Sequence, residues 1–130
     1  MKILVTGAAG FIGFHTIDKL LNSKNYKVIG IDNLNNYYDV SLKKKRLKIL
    51  KKNHKNKFFF KKIDIANKKK LKNLFKSYKF KKVINLAAQA GVRYVKKNPD
   101  AYFESNMRGF YNIVELCKNY KIKHLVSAST

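Results

Sequence analysis

Three glycines and one acid carry the most legible chemistry in this chain. Gly7, Gly10 and Gly13 follow the apolar run Lys2–Thr6 in the spacing G-x-x-G-x-x-G, and Asp32 closes the next such run, Tyr26–Asp32. Glycine in the first place takes a tight turn. In the second it lets an anionic group reach the backbone, and in the third it lets a helix pack close to a sheet. A helix opening around Gly10 presents free N–H groups and the positive end of its dipole, which suits a pyrophosphate. An acid about twenty residues beyond the glycines suits the hydroxyls of a ribose. Strand, glycine turn, helix and strand-end acid together make the full context of a dinucleotide-binding fingerprint. The competing reading, glycines that serve packing alone, leaves Asp32 as a loop cap.

These residues need a scaffold, and the rest of the chain supplies one by alternating strand and helix patterns. Phe11–Ser23 carries an apolar stripe at Ile12, Thr16, Ile17, Leu20 and Leu21. A polar, asparagine-rich loop covers Asn33–Tyr38. Ser41 is the expected cap of a helix over Leu42–Lys52 that buries Leu42, Ile49 and Leu50 and turns its lysines outward. Phe58–Ile63 reads as a third strand. Asn67 caps a helix burying Leu71, Leu74 and Phe75, and Lys82–Leu86 reads as a fourth strand that runs into the small-residue turn Ala87–Gly91. Asn98-Pro99 is a cap-plus-proline start for one long helix whose stripe Phe103, Met107, Phe110, Val114 and Cys117 is expected in the core. Lys123–Ser129 is the fifth strand. Strands joined by helices imply right-handed crossovers and an α/β, doubly wound parallel sheet in the order 3-2-1-4-5. Its switch point lies between strands one and four, so a ligand crevice is expected between Gly7–Gly13 and Ala87–Gly91.

Length and charge set the outer bounds. The chain has 130 residues, which suits a single domain and one core. With 30 Lys and Arg against 7 Asp and Glu, its formal charge is +23. Nearly all of that excess is lysine; Arg46, Arg93 and Arg108 are the only arginines. Arginine is the better fork for bases and phosphates, so the surplus reads as a solvated surface rather than a nucleic-acid site. The single cysteine, Cys117, permits no internal disulfide. The opening residues run directly into a strand, and no apolar stretch is long enough to span a bilayer. A cytoplasmic protein without membrane, metal or specific nucleic-acid partners is expected.

Beyond the fingerprint, the blocks TGAAGFIG, IDNLNNYYDVSLK, NLAAQAGVRY, NPDAYFESNMRGFYNIVELC and LVSAST resemble successive blocks of the extended short-chain dehydrogenase/reductase superfamily. The resemblance covers the whole chain. It is closest to the NAD-dependent nucleotide-sugar epimerase/dehydratase family, in its UDP-glucuronate 4-epimerase branch. That likeness implies a Rossmann-like domain over residues 1–130, with NAD as cofactor and a UDP-sugar as substrate. It implies that Gly7, Gly10, Phe11, Ile12 and Gly13 hold the pyrophosphate. Asp32 would meet the adenosine ribose, Asn33 beside it would also bind the cofactor, and Asp64 and Ile65 would edge the adenine. Leu86, Ala87, Ala88 and Gln89 would line the path to the nicotinamide ribose, and Asn106 would back the ring. Gln89 and Arg93 would begin the sugar-nucleotide site. A carboxylate at Asp32 repels a 2′-phosphate, which favours NAD over NADP.

The family's chemistry is a transient oxidation at the sugar C4, with a Ser or Thr hydroxyl and a Y-x-x-x-K pair handling the proton. The Ser/Thr position matches Thr130. The only Y-x-x-x-K near a strand, Tyr78 to Lys82, precedes strand four, on the wrong end of the sheet. The chain is thus expected to be the N-terminal, cofactor-binding part of such an enzyme, inactive alone. The full-length family is often homodimeric, and the bare edge of strand five and part of the long-helix stripe are expected to make this chain self-associate. The alternatives are a stand-alone NAD-binding module, a piece of a sugar-nucleotide 4,6-dehydratase, and a basic nucleic-acid-binding protein.

Overall fold

A computed structural model describes residues 1–129. Five parallel strands form one sheet in the order β3-β2-β1-β4-β5. They are β1 (Lys2–Thr6), β2 (Lys27–Asp32), β3 (Phe58–Lys62), β4 (Lys82–Asn85) and β5 (His124–Ser127). Helices α1 (Phe11–Ser23), α2 (Val40–Asn53) and α3 (Lys68–Tyr78) connect the first four strands. The last crossover holds a 3-10 turn at Val92–Lys96, a short α4 (Pro99–Tyr102), a π-helical stretch Phe103–Gly109 and α5 (Phe110–Asn119).

Helices cover both faces of the sheet, which is why the central strands read as continuous apolar runs instead of alternating ones. On one face Ile3, Val5 and Val28 pack with Ile17 and Leu21 of α1 and Leu47 and Leu50 of α2. On the other, Leu4, Ile29 and Ile31 pack with Leu71, Leu74 and Phe75 of α3 and Ile113, Leu116 and Cys117 of α5. Burial in that second layer pushes the Cys117 thiol up to about 11.

The strand order agrees with the sequence expectation; several details differ. Asp39, not Ser41, caps α2: its carboxylate accepts from the Ser41 backbone N–H at 2.8 Å. That cap starts α2 earlier, and a different face of the helix is turned inward. Lys43, Leu47 and Leu50 are buried, while Leu42 and Ile49 are exposed. The expected stripe of the long helix also fails as core, except at Cys117. Phe103, Met107 and Phe110 are 53%, 62% and 41% exposed, and Val114 is exposed too. The buried face is instead Gly109, Asn112, Ile113, Leu116 and Cys117. The segment is apolar on two sides, and close contact selects between them. A Cβ on Gly109 would lie 2.5 Å from the Ile65 side chain, so only this face can approach the loop after β3. Phe59 is exposed on the edge strand β3. Among the described residues, no helix is long and apolar enough to cross a membrane.

Candidate functional site

The crevice expected at the switch point is present, and its walls are the carboxyl ends of β1, β2 and β4. Gly7 takes φ +68°, a left-handed conformation that side chains rarely adopt, and lies against the backbone of Leu86 and Ala87. The turn after β1 is thereby pressed against the turn after β4. Thr6 fastens the same junction from inside. Its hydroxyl donates to Asn85 Oδ1 at 2.6 Å and accepts from the Leu86 and Ala87 N–H groups at 3.1 and 3.0 Å. Gly13 meets the start of the turn so closely that an added Cβ would stand 2.0 Å from the Gly7 carbonyl oxygen. Gly10 is freer, with only that same oxygen nearby at 3.2 Å, and it faces the cleft. The first amides of α1 point out of this turn without helical partners, as they do at any helix start. Phe11 and Ile12 are exposed beside them.

Asp32 does two jobs at once. One carboxylate oxygen accepts from the Ala9 N–H at 3.1 Å, which ties β2 to the glycine turn, and the other accepts from the Leu34 N–H at 2.9 Å. Each oxygen retains a lone pair, so the loop-cap role and a ribose contact are compatible. Beyond it, Asp64 accepts from the Asn33 side-chain amide at 3.0 Å and from the Ala66 N–H at 2.8 Å. Asn112 of α5 donates to the Ile65 carbonyl at 2.9 Å and holds that loop in place.

At the β4 side, Gln89 is 5% exposed and forms a reciprocal pair with Asn106. The Gln89 N–H donates to Asn106 Oδ1 at 2.8 Å, and the Asn106 amide donates to the Gln89 carbonyl at 3.1 Å. Asn106 sits on the π-helical stretch, a distortion that recurs at functional sites. A second hollow lined by Asn106, Phe110, Ser127 and Ser129 adjoins the first and shares Leu86, Ala87, Ala88 and Ser105 with it. Together they make one trough from Asp32 and Asp64 to the end of β5.

Of the residues singled out from sequence, Gly7, Gly10, Asp32, Asn33, Asp64, Ile65 and Leu86–Gln89 line the first hollow. Gly13 lies behind its turn, Phe11 and Ile12 are exposed at the start of α1 and are not among its lining residues, and Asn106 lines the second hollow. Arg93 is on the exposed 3-10 turn and is not among the lining residues. Thr130 lies outside the described residues. Tyr78 ends α3 and stacks on Phe80 before β4 begins, far along the strand from the crevice. Among the described residues no group of three or more potential metal ligands is found.

Sequence reasoning missed Asn35, Tyr37, Tyr38, Lys43 and Ser105, which also line the first hollow. Lys43 was hidden among lysines. Its ammonium donates to the Asn35 carbonyl at 2.8 Å and to Asn35 Oδ1 at 2.7 Å, over the Tyr38 ring at 4.4 Å. Burial holds its pKa below the usual lysine value, with Asp32 pulling the other way. Arg46 was missed as well. It donates to the Ala9 carbonyl at 3.2 Å and to the Tyr38 hydroxyl at 3.0 Å, bracing the glycine turn from α2.

Comparison with known proteins places this geometry. A family model described as GDP-mannose 4,6 dehydratase matches residues 4–130. Protein CapI of Staphylococcus aureus is 47% identical over 130 residues, covering all of this chain and 38% of CapI. A UDP-glucuronate 4-epimerase of Thermodesulfobacterium geofontis is 48% identical over 127 residues, covering 98% of this chain and 38% of the relative. Among solved structures, UDP-glucuronic acid 4-epimerase from Bacillus cereus in complex with UDP-glucuronic acid and NAD superposes with a TM-score of 0.88 at 36% identity. That match covers all of this chain and 40% of the neighbour. The chain spans about two-fifths of the length of such relatives. The fold shared with these epimerases is the Rossmann-like one expected from strand order. With its model matched over almost every residue, the chain belongs to the GDP-mannose 4,6 dehydratase family.

Proposed function

We propose that this chain is the NAD-binding portion of a nucleotide-sugar 4-epimerase resembling UDP-glucuronate 4-epimerase. The observation that carries the reading is the join between Asp32 and the glycine turn: the Ala9–Asp32 hydrogen bond puts a carboxylate with free lone pairs directly beside a helix N-terminus. That arrangement fits a ribose on one side and a pyrophosphate on the other. Gly10 faces the cleft, and an added Cβ there would meet only the Gly7 oxygen, at 3.2 Å, which fits a phosphate approaching the backbone. NAD, when bound, would supply a reversible hydride acceptor. Within this chain, Asp32 orients the adenosine ribose, and Asp64, Asn33 and Ile65 close the far end around the base. Leu86–Ala88 shield the path to the second hollow, and the Gln89–Asn106 pair holds the wall of that path rigid. Gln89 and Arg93 begin the UDP-sugar site. The second reading, a sugar-nucleotide 4,6-dehydratase, is favoured by the description of the matching family model.

The tyrosines that line the trough, Tyr37 and Tyr38, belong to the first hollow and none of the described residues lining the second is a tyrosine, so the 130-residue chain alone is expected to turn over no sugar. Loss of a positioned general base by itself costs roughly a hundred- to ten-thousandfold. Calorimetric titration is the direct test of the binding claim. NAD should bind, and NADP more weakly. A chain that binds neither, while melting cooperatively, is not a dinucleotide module. Incubation with NAD and UDP-glucuronate tests the second claim, and formation of UDP-galacturonate would refute it.

A further inference from the structure

We propose that Lys43 is the second determinant of cofactor choice: its ammonium is placed to receive a 2′-phosphate, and the Asp32 carboxylate is what excludes that phosphate. The inference rests on the reading of the trough as a dinucleotide site. Asp32 alone explains a preference for NAD by repulsion. It does not explain why a lysine is 4% exposed in the same wall of the cleft.

Burying an ammonium is costly unless its protons are satisfied. An ammonium has three N–H donors. Two of them go to Asn35, to its carbonyl and to its side-chain oxygen. The rest of the ammonium faces the Tyr38 ring at 4.4 Å rather than an acid; the ion pairs found among the described residues are His54–Asp18, Lys68–Glu115 and Arg108–Glu104. Lys43 and Asp32 therefore face one cleft with opposite charges and without closing on each other. The other charged groups nearby are already engaged. Asp64 accepts from Ala66 and Asn33, and Arg46 donates to Ala9 and Tyr38. Lys43 is the only lysine or arginine among the described residues that line this hollow. A cation without a carboxylate partner beside the ribose-binding acid is the half-site that a 2′-phosphate requires, and the neutralising acid opposite it sets the outcome.

The test is calorimetry with NAD and NADP on four proteins: the wild type, Asp32→Asn, Asp32→Asn with Lys43→Gln, and Asp32→Asn with Lys43→Arg. The wild type should prefer NAD. Asp32→Asn should raise NADP affinity to about that of NAD or above. Adding Lys43→Gln should remove that gain, by roughly ten- to a hundredfold for a charge-assisted bond, and leave NAD much less affected. Lys43→Arg should keep most of it. A gain in NADP that survives Lys43→Gln would show that Asp32 acts alone. An equal loss of both cofactors would show that Lys43 only props the Asn35 loop. A wild type that binds neither cofactor overturns the dinucleotide reading itself, which the NAD titration reports separately. One measurement needs no change at Lys43. In Asp32→Asn, the 31P titration of bound NADP should place the 2′-phosphate midpoint below that of free NADP, and an unshifted midpoint overturns the proposal.

Discussion

The two ends of the trough are built on opposite terms. At the β2 end, the Asp32, Asp64, Asn33, Asn35 and Lys43 side chains are already bonded to one another or to nearby backbone. At the β5 end, the wall is a π-helical stretch whose Phe103 and Met107 stand open, followed by an exposed Phe110 at the start of α5, and Val126 of β5 is exposed too. At the first end the partners lie within two to eight residues, or in the turns that follow the neighbouring strands β1 and β3. The second depends on whatever packs over an apolar face larger than single exposed residues explain. Preorganisation is complete on one side of the switch point and unfinished on the other.

The sharpest way to break the difference is at the hinge between the two ends. Gly13→Ala places a Cβ 2.0 Å from the Gly7 oxygen, where only backbone can yield. It should cost about 3 kcal/mol or more, read as a large fall in the denaturant midpoint, and should abolish NAD binding. Gly10→Ala, which meets one atom at 3.2 Å, should leave the midpoint nearly unchanged while still weakening NAD. Equal destabilisation by the two would mean that the turn tolerates backbone shifts that its contacts do not suggest.

Thr6 joins the two ends, so its hydroxyl is the next place to test. Thr6→Val keeps the shape and leaves the Leu86 and Ala87 N–H groups and Asn85 Oδ1 without that partner. The expected loss is about 1–3 kcal/mol. Hydrogen exchange should quicken at Leu86 and Ala87 more than at Ala9, whose bond to Asp32 does not involve Thr6. Uniform exchange across both turns would dissolve the distinction between the ends.

The smallest effect on stability is expected at the open end. Met107→Lys, at a residue 62% exposed, should change stability by less than about 0.5 kcal/mol. It should nevertheless reduce self-association. The chain's charge of +23 opposes association at low salt and is screened as salt rises. Light scattering across a salt series should therefore grow for the wild type and grow less for Met107→Lys. A wild type that stays monodisperse at high salt would remove the open face as an association surface.

Much of this molecule was legible in its letters, and the gaps have identifiable causes. The glycine spacing, Asp32 and the five apolar runs led to the sheet order and the crevice because each is a local signal with one compatible long-range outcome. Lys43 was illegible because composition argues against it: in a chain with so many lysines, an inward one looks like all the rest. What turned it inward was the packing of Leu47 and Leu50 on the sheet, which share its face of α2. The stripe from Phe103 to Cys117 misled for a related reason. Two apolar faces run along that segment, and periodicity cannot choose between them.

What the sequence by itself determined is the glycine turn, the alternation of strand and helix and, through the handedness of crossovers, the order of the strands. These follow from backbone sterics and from apolar runs of strand length, which any environment reads alike. What only the tertiary structure decided is which side of each helix faces in and which hydrogen bonds close the cleft. Gly109 against Ile65, Thr6 against Asn85 and Gln89 against Asn106 are all pairings between distant segments. Their energies exist only once the sheet has brought the partners within a few ångströms, and no local propensity encodes that distance.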